Sequence, residues 1–262
     1  MRWEHMTAPE FAKGVGKARG VCVLPLGVLE KHGEHLPLGT DLFFARRVAR
    51  EAARREPAIV FPPYFFTQIH EAKHERGAVA VSGRMMMDLL AETCSEIARN
   101  GLRKIILYNG HGGNNSFLPF FGQLALERPR DYAVYLPGWG SDPEIDRKLK
   151  GKLQDKYDGH AGEGETSLMM ALYPQDVRLK ADIPARGRPW PGLPKLKGTQ
   201  NAIWWYSLHP HHYAGQARLG TVEKGRLMFE GSVRHLAGVI KAVKADTAVA
   251  RLTRSFFSRV RH

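Results

Sequence analysis

Three short stretches of this chain concentrate the residue types that hold cations and move protons: LEKHGEHLPLGTD (Leu29 to Asp41), NGHGGNN (Asn109 to Asn115) and HAGEGETS (His160 to Ser167). In the first, Glu30 and His32 are two apart, so an extended backbone turns both side chains to the same side. Asp41 comes after Pro37 and Gly39, residues suited to a tight return of the chain, and is expected at a helix N-terminus near the other two. One Glu, one His and one Asp form a mixed oxygen and nitrogen set that suits zinc or manganese. In the second stretch, His111 lies among glycines that permit close backbone approach to a ligand. In the third, Glu163 and Glu165 are two apart, and a helix would point them roughly 200° apart, so only one can enter a site. His160 precedes both and can stand opposite the ions. Together these residues supply ligands for two divalent ions, with one histidine left for proton transfer.

Such a cluster needs a scaffold that brings distant stretches to one edge. Short apolar runs (VCVLPL, AIVFPP, KIILY, YAVYLP) alternate with helical patterns, which predicts an α/β fold with a parallel sheet covered by helices. The first two stretches follow VCVLPL and KIILY directly, at the carboxyl ends of strands where α/β proteins build their sites. Thr7 is expected to cap a helix to about Lys17, and Asp41 to open one carrying Phe44, Val48 and Ala52 on its inner face. Ser82 starts a long helix whose expected core stripe is Met86, Leu89, Leu90, Thr93 and Ile97. Asn114 or Asn115 is expected to cap the helix after KIILY, a polar helical stretch runs from Pro143 to Lys156, and HAGEGETS begins another helix. Residues 184 to 220 are rich in Gly, Pro, Trp and His without periodicity, as in a long loop that lines an active site. No repeat or linker divides the chain, so one domain over residues 1–262 is expected.

The formal charge of +13 raises the question of nucleic acid. Part of it sits in the last 22 residues, where six Lys or Arg face one Asp, a pattern read as a solvated helical face. No nucleic-acid module accompanies it, and neither nucleic acid nor membrane is expected as a partner. Met1 to Lys17 is charged throughout and lacks an apolar segment of signal-peptide type, and Cys22 and Cys94 fall in buried patterns. A cytoplasmic location is the expectation.

Read as whole motifs, the three stretches resemble the creatininase (creatinine amidohydrolase) family. EKHGEHLPLGTD is similar to its block E-x-H-G-x-H-L-P-L-G-T-D, NGHGGN to its second block, and HAGEGETS to H-A-G-x-x-E-T-S; ARLGTVEKG is a fainter likeness to its A-T-x-E-K-G ending. The resemblance implies a three-layer α/β/α domain with a mostly parallel central sheet, two divalent ions per chain (zinc, manganese or both) and a homo-oligomer, with a hexamer as one form. It also implies Glu30, His32, Asp41 and His111 as metal ligands, Asp41 bridging both ions, and His160 as the acid/base. The creatinine-hydrolysing members carry a carboxylate where this chain has Gly113. The HGGN form implies a different member, with Glu165 completing the second ion and Glu163 lying elsewhere. The resemblance assigns FTQIHEAKHERG to the substrate side, and His74 to substrate contact. Trp204, Trp205, His209, His211 and His212 are read as a candidate aromatic substrate wall.

The function expected is hydrolysis of the C–N bond of a small, cyclic amide, by water activated between two ions with His160 as general acid/base. No G-x-S-x-G elbow or G-x-G-x-x-G loop supports serine or dinucleotide chemistry. Two alternatives stay open: a metal-dependent ring-opening hydrolase or isomerase of a cyclic keto-sugar, and a nucleic-acid-binding protein whose metal site is structural.

Overall fold

The computed structural model describes residues 1–179, Leu196, Thr199 and 201–260. Four strands form one parallel sheet in the order β2-β1-β3-β4: β1 (Val21–Leu26), β2 (Ile59–Val60), β3 (Lys104–Asn109) and β4 (Ala133–Tyr135). Strand β1 is buried along its whole length and alternates its side chains between two cores. Val21 and Val23 face helices α2 (Thr40–Arg55), α6 (Glu163–Leu172) and α8 (Val222–Ala245), through Phe44, Val48, Leu168, Leu236 and Ile240. Cys22, Leu24 and Leu26 face α1 (Ala8–Ala18), α3 (Gly83–Arg99) and α4 (Asn114–Leu124), through Leu90, Ile97 and Phe117. This is the expected three-layer α/β/α arrangement, each parallel strand covered on both faces. The remaining helices are α5 (Pro143–Leu149), α7 (Trp204–Leu208) and α9 (Ala248–Phe257). Among the described residues, no helix is long and apolar enough to cross a membrane.

Local chemistry sets most boundaries. Thr7 caps α1 in a reciprocal capping box with Glu10, and the Ser82 hydroxyl accepts from Met85 N at the start of α3. The core stripe of α3 is Met86, Leu90, Cys94 and Ile97. Met86, Leu90 and Ile97 lie in the stripe as expected, whereas Leu89 is exposed and Cys94 takes the buried position in place of Thr93, which is half-buried. Gly113, rather than an asparagine, is the residue before α4. Asn114 is spent on tertiary bonds instead, its amide donating to Thr67 and Asn109. The polar helix after Pro143 ends at Leu149, short of Lys156. Most of the segment 184–200 lies outside the described residues; beyond it the chain holds α7 and then α8.

Helix α6 starts from an unusual turn. Ala161 has φ 54°, a left-handed conformation that alanine adopts at a cost, and Asp158 caps the following turn by accepting from Gly164 N at 2.8 Å. Glu163 points away from the sheet edge, fully buried. Its carboxylate accepts from Gln154 N and Asp155 N, at 2.8 and 2.7 Å, and pairs with Lys224 Nζ of α8 at 2.6 Å. The pair fixes the rotation of α6 about its axis, and with it the direction of Glu165. Since a buried pair left with one partner retains an uncompensated charge, Lys224→Met should destabilise the fold by about 3–5 kcal/mol in denaturant titration. A loss below about 1 kcal/mol would show that the pair does not hold α6.

Candidate metal centre

The site forms where the carboxyl ends of β1 and β3 meet the N-terminus of α2. In register, Leu26 lies opposite Asn109, so the chain after β1 and the chain after β3 leave the sheet side by side. A Cβ on Gly110 would fall 2.7 Å from Asp41 O and 2.9 Å from the Ala45 Cβ, so a glycine there lets the first turn of α2 press against the strand ends. That contact puts Asp41 between the two emerging loops.

The Asp41 carboxylate has one histidine on each oxygen. Oδ1 lies 3.0 Å from His32 Nε2 and Oδ2 lies 3.0 Å from His111 Nδ1. Glu30 Oε1 is 2.8 Å from the same His111 nitrogen. Glu165 Oε2 is 3.8 Å from His32 Nε2 and accepts from Ala161 N at 2.5 Å. Three three-residue groupings have donor atoms within 4.8 Å of one another: Glu30–His32–His160, Glu30–Asp41–His111 and His32–Asp41–Glu165, the last two sharing Asp41. Glu30, His32, Asp41 and His111 are nearly fully buried, whereas Glu165 opens partly onto a cavity. His32 Nδ1 donates to the Glu30 carbonyl at 3.2 Å, so its Nε2 is the nitrogen turned to the carboxylates.

These donors fit divalent cations. Glu30 Oε1 and Asp41 Oδ2 are buried and make no hydrogen bond, although both stand within 3.0 Å of His111 Nδ1. Lone pairs that converge without hydrogen-bond geometry are what an oxygen–nitrogen cation site requires. The electrostatics agree. Burial disfavours the charged form of His32, yet the Asp41 and Glu165 carboxylates outweigh it and lift this imidazole to about 10. His111 is raised well above the ordinary histidine range against burial, chiefly by Glu30 and Asp41. Glu30 is held well below the ordinary carboxyl range, by His111 and His160 against burial. Enclosure raises Glu165 to about 7, His32 opposing and Asp41 adding to it. Without ions, imidazole protons thus neutralise the carboxylates.

His160 has the opposite character. Burial, with the His32 imidazole beside it, drives its pKa well below the histidine range, Glu30 opposing. Its Nε2 is 2.7 Å from the Lys31 carbonyl, which only accepts, so Nε2 carries the proton and Nδ1 the lone pair. That Nδ1 is 4.0 Å from Glu165 Oε2. A cavity of about 220 Å³ opens over Glu30, His111, His160 and Glu165, walled by Trp204 and Trp205. It shares Glu71, Gly112, Gly113 and Trp204 with an open groove of about 1000 Å³ that runs past His70, Asn115 and Phe120.

The structure therefore brings together Glu30, His32, Asp41, His111, Glu165 and His160. His74 stands apart: its Nε2 donates to the Pro210 carbonyl at 3.1 Å and its ring packs edge-on against Tyr206. It underpins the loop after α7, with its ring centroid 6.3 Å from that of His212. Of the residues read as an aromatic wall, His212 turns inward to the Glu30 carboxylate, 2.5 Å away. Sequence reading missed that bond, because an aperiodic segment carries no signal of side-chain direction. His35 ties the first stretch to α6 through Thr166 Oγ1 at 2.8 Å, and Glu71 comes within 3.7 Å of His111 Nε2. A Cβ on residue 113 would collide with both Glu71 and His111, so glycine is what allows Glu71 that position.

Because metal binding requires neutral His32 and His111, uptake must release protons that these rings hold up to about pH 10 in the case of His32. Affinity should rise with pH between 6 and 9, by about tenfold per unit for each proton displaced, in competition titrations against a chromophoric chelator. An affinity flat across that range would contradict the proton-for-cation exchange.

Residues 4–240 match the family model described as creatinine amidohydrolase. The creatinine amidohydrolase of Pseudomonas putida is 30% identical over 255 residues, 90% of this chain and 95% of that protein. The mycofactocin precursor peptide peptidase of Mycobacterium tuberculosis is 30% identical over 227 residues, 80% of each chain. A crystal structure of creatinine amidohydrolase superposes with a TM-score of 0.78 at 25% identity, covering 94% of this chain and 98% of that one. With its fold, its motif order and these likenesses in agreement, the chain belongs to the creatininase family.

Proposed function

We propose that this protein is a metal-dependent amidohydrolase that opens the C–N bond of a small, cyclic amide at a centre of two divalent ions. The carrying observation is Asp41 between two donor groupings, beside a histidine kept neutral. Glu30, Asp41 and His111 would hold one ion, and His32, Asp41 and Glu165 the other. When bound, the ions would acidify a shared water and polarise the amide carbonyl. Zinc and manganese both suit the oxygen and nitrogen donors, and solved creatininases include a Zn–Zn type and a manganese form.

The chain's own residues do the rest. The Lys31 carbonyl fixes His160 with its Nδ1 lone pair free. In that state the ring takes a proton from the attacking water as general base and returns it to the leaving nitrogen as general acid. Burial keeps it neutral and ready to accept. Trp204 and Trp205 shield the cavity from bulk water, and the groove beyond Glu71 gives room for a substituent on the amide. A homo-oligomer, with a hexamer as one form, accords with the exposed apolar Leu252 and Phe256 of α9 and with the resemblance.

A cyclic keto-sugar is the second reading, supported by a 24% identical 3-dehydro-scyllo-inosose hydrolase of Thermotoga maritima. Turnover of the metal-loaded protein on lactams, formamides and cyclic keto-sugars separates the two. On whichever substrate is turned over, His160→Ala should retain both ions and lower kcat by about 10²–10⁴. Loss of metal from that variant would make His160 a ligand instead of the proton carrier.

A further inference from the structure

His212 reaches the centre from the segment after α7, which also walls the cavity. It is 1% exposed and has φ 50°, a left-handed conformation uncommon outside glycine. Its backbone is held there by a bond from its own N–H to His209 O at 2.9 Å. Both ring nitrogens are engaged. The Trp205 indole N–H, which can only donate, points at His212 Nδ1 from 2.8 Å. Nδ1 is therefore the acceptor and Nε2 carries the proton, which it donates to Glu30 Oε2 at 2.5 Å. Glu30 thus has one oxygen bonded from behind, while the other, Oε1, is buried, bears no hydrogen bond and faces His111.

We infer that Trp205 and His212 form a positioning relay: the indole sets the tautomer of His212, and His212 orients the Glu30 carboxylate so that Oε1 is presented to the ion shared with Asp41 and His111. The inference rests on the two-ion reading of the site. Neither residue touches the reacting atoms in this role; both act through Glu30. The relay also joins the site to the loop that walls it. The His212 ring lies 4.3 Å from His160, centroid to centroid, and Trp205 lies 6.0 Å from it. One loop therefore both encloses the proton carrier and holds a ligand carboxylate. The strained backbone of His212 has a structural reason, since its ring must turn back from the loop toward the sheet edge.

The test uses the full-length protein, stripped by chelator and titrated with zinc against a competing chromophoric ligand. Wild type, His212→Ala, His212→Gln and Trp205→Phe are compared, with thermal melts of each metal-free form. His212→Ala is expected to weaken one of the two ions by about 10–100-fold and to leave the other within about threefold, as removal of an outer partner of a ligand does. His212→Gln, whose amide can donate to Glu30, should recover most of the loss. Trp205→Phe keeps an aromatic ring but frees the His212 tautomer, so it should weaken the same ion by a smaller factor. If His212→Ala fails to fold, Trp205→Phe still decides. In wild type, nitrogen NMR of the imidazole should find His212 protonated on Nε2 with and without zinc. Unchanged affinity of both ions in His212→Ala and Trp205→Phe, or a proton on Nδ1, would overturn the relay alone. A wild-type protein that takes up no ion would overturn the relay and the two-ion reading together.

Discussion

A carboxylate flanked by two imidazoles, out of reach of bulk water, is the interaction from which the rest of this structure follows. Asp41 offers one oxygen to His32 and the other to His111, and neither contact is available to solvent. Three carboxylates, from Glu30, Asp41 and Glu165, crowd the same space, and a buried negative cluster persists only if cations neutralise it. Protons on His32 and His111 meet that need without metal, and divalent ions would meet it when bound. The raised imidazole pKa values and the converging, unbonded oxygens are two views of that requirement.

The scaffold serves to hold that arrangement still. Parallel pairing of β1 with β3 brings Glu30, His32 and His111 out at one edge, and a tight approach at Gly110 lets α2 insert Asp41 between them. Helix α6, packed with α2 and α8 on one face of the sheet, delivers Glu165, its rotation fixed by the buried Lys224–Glu163 pair and its start by the left-handed Ala161. Thr166, the next residue of α6, bonds His35 of the first stretch, so ligands from both segments are tied one position away from the ions they would share. Three segments far apart in sequence thus meet with little freedom to relax, which is what a site of fixed donor geometry demands.

Much of this was legible in the residues themselves. The β1 and β3 runs, the Thr7 and Ser82 caps and the two-residue spacing of Glu30 and His32 each carry a local signal, and the helical angle between Glu163 and Glu165 correctly implied that only one would face the site. What the residues did not reveal depends on tertiary direction. His74 and His212 are both histidines in polar, aperiodic segments. Nothing local says that one would support a loop while the other reaches a buried carboxylate. Asn114 looked like a helix cap and is a tertiary anchor instead, because Thr67 and Asn109 compete for its amide. The shift of the α3 stripe to Cys94 is a smaller failure of the same kind, a residue's burial decided by the surface it meets.

In the two-ion reading, the single carboxylate of Asp41 would serve both ions. Elemental analysis of zinc-saturated, extensively dialysed wild type beside Asp41→Ala tests it most directly, provided circular dichroism confirms that the variant is folded. Two ions per wild-type chain and almost none in Asp41→Ala are expected, since the two groupings that contain Asp41 lose their common member. A folded Asp41→Ala protein that keeps both ions, or a wild type that holds none, would contradict it.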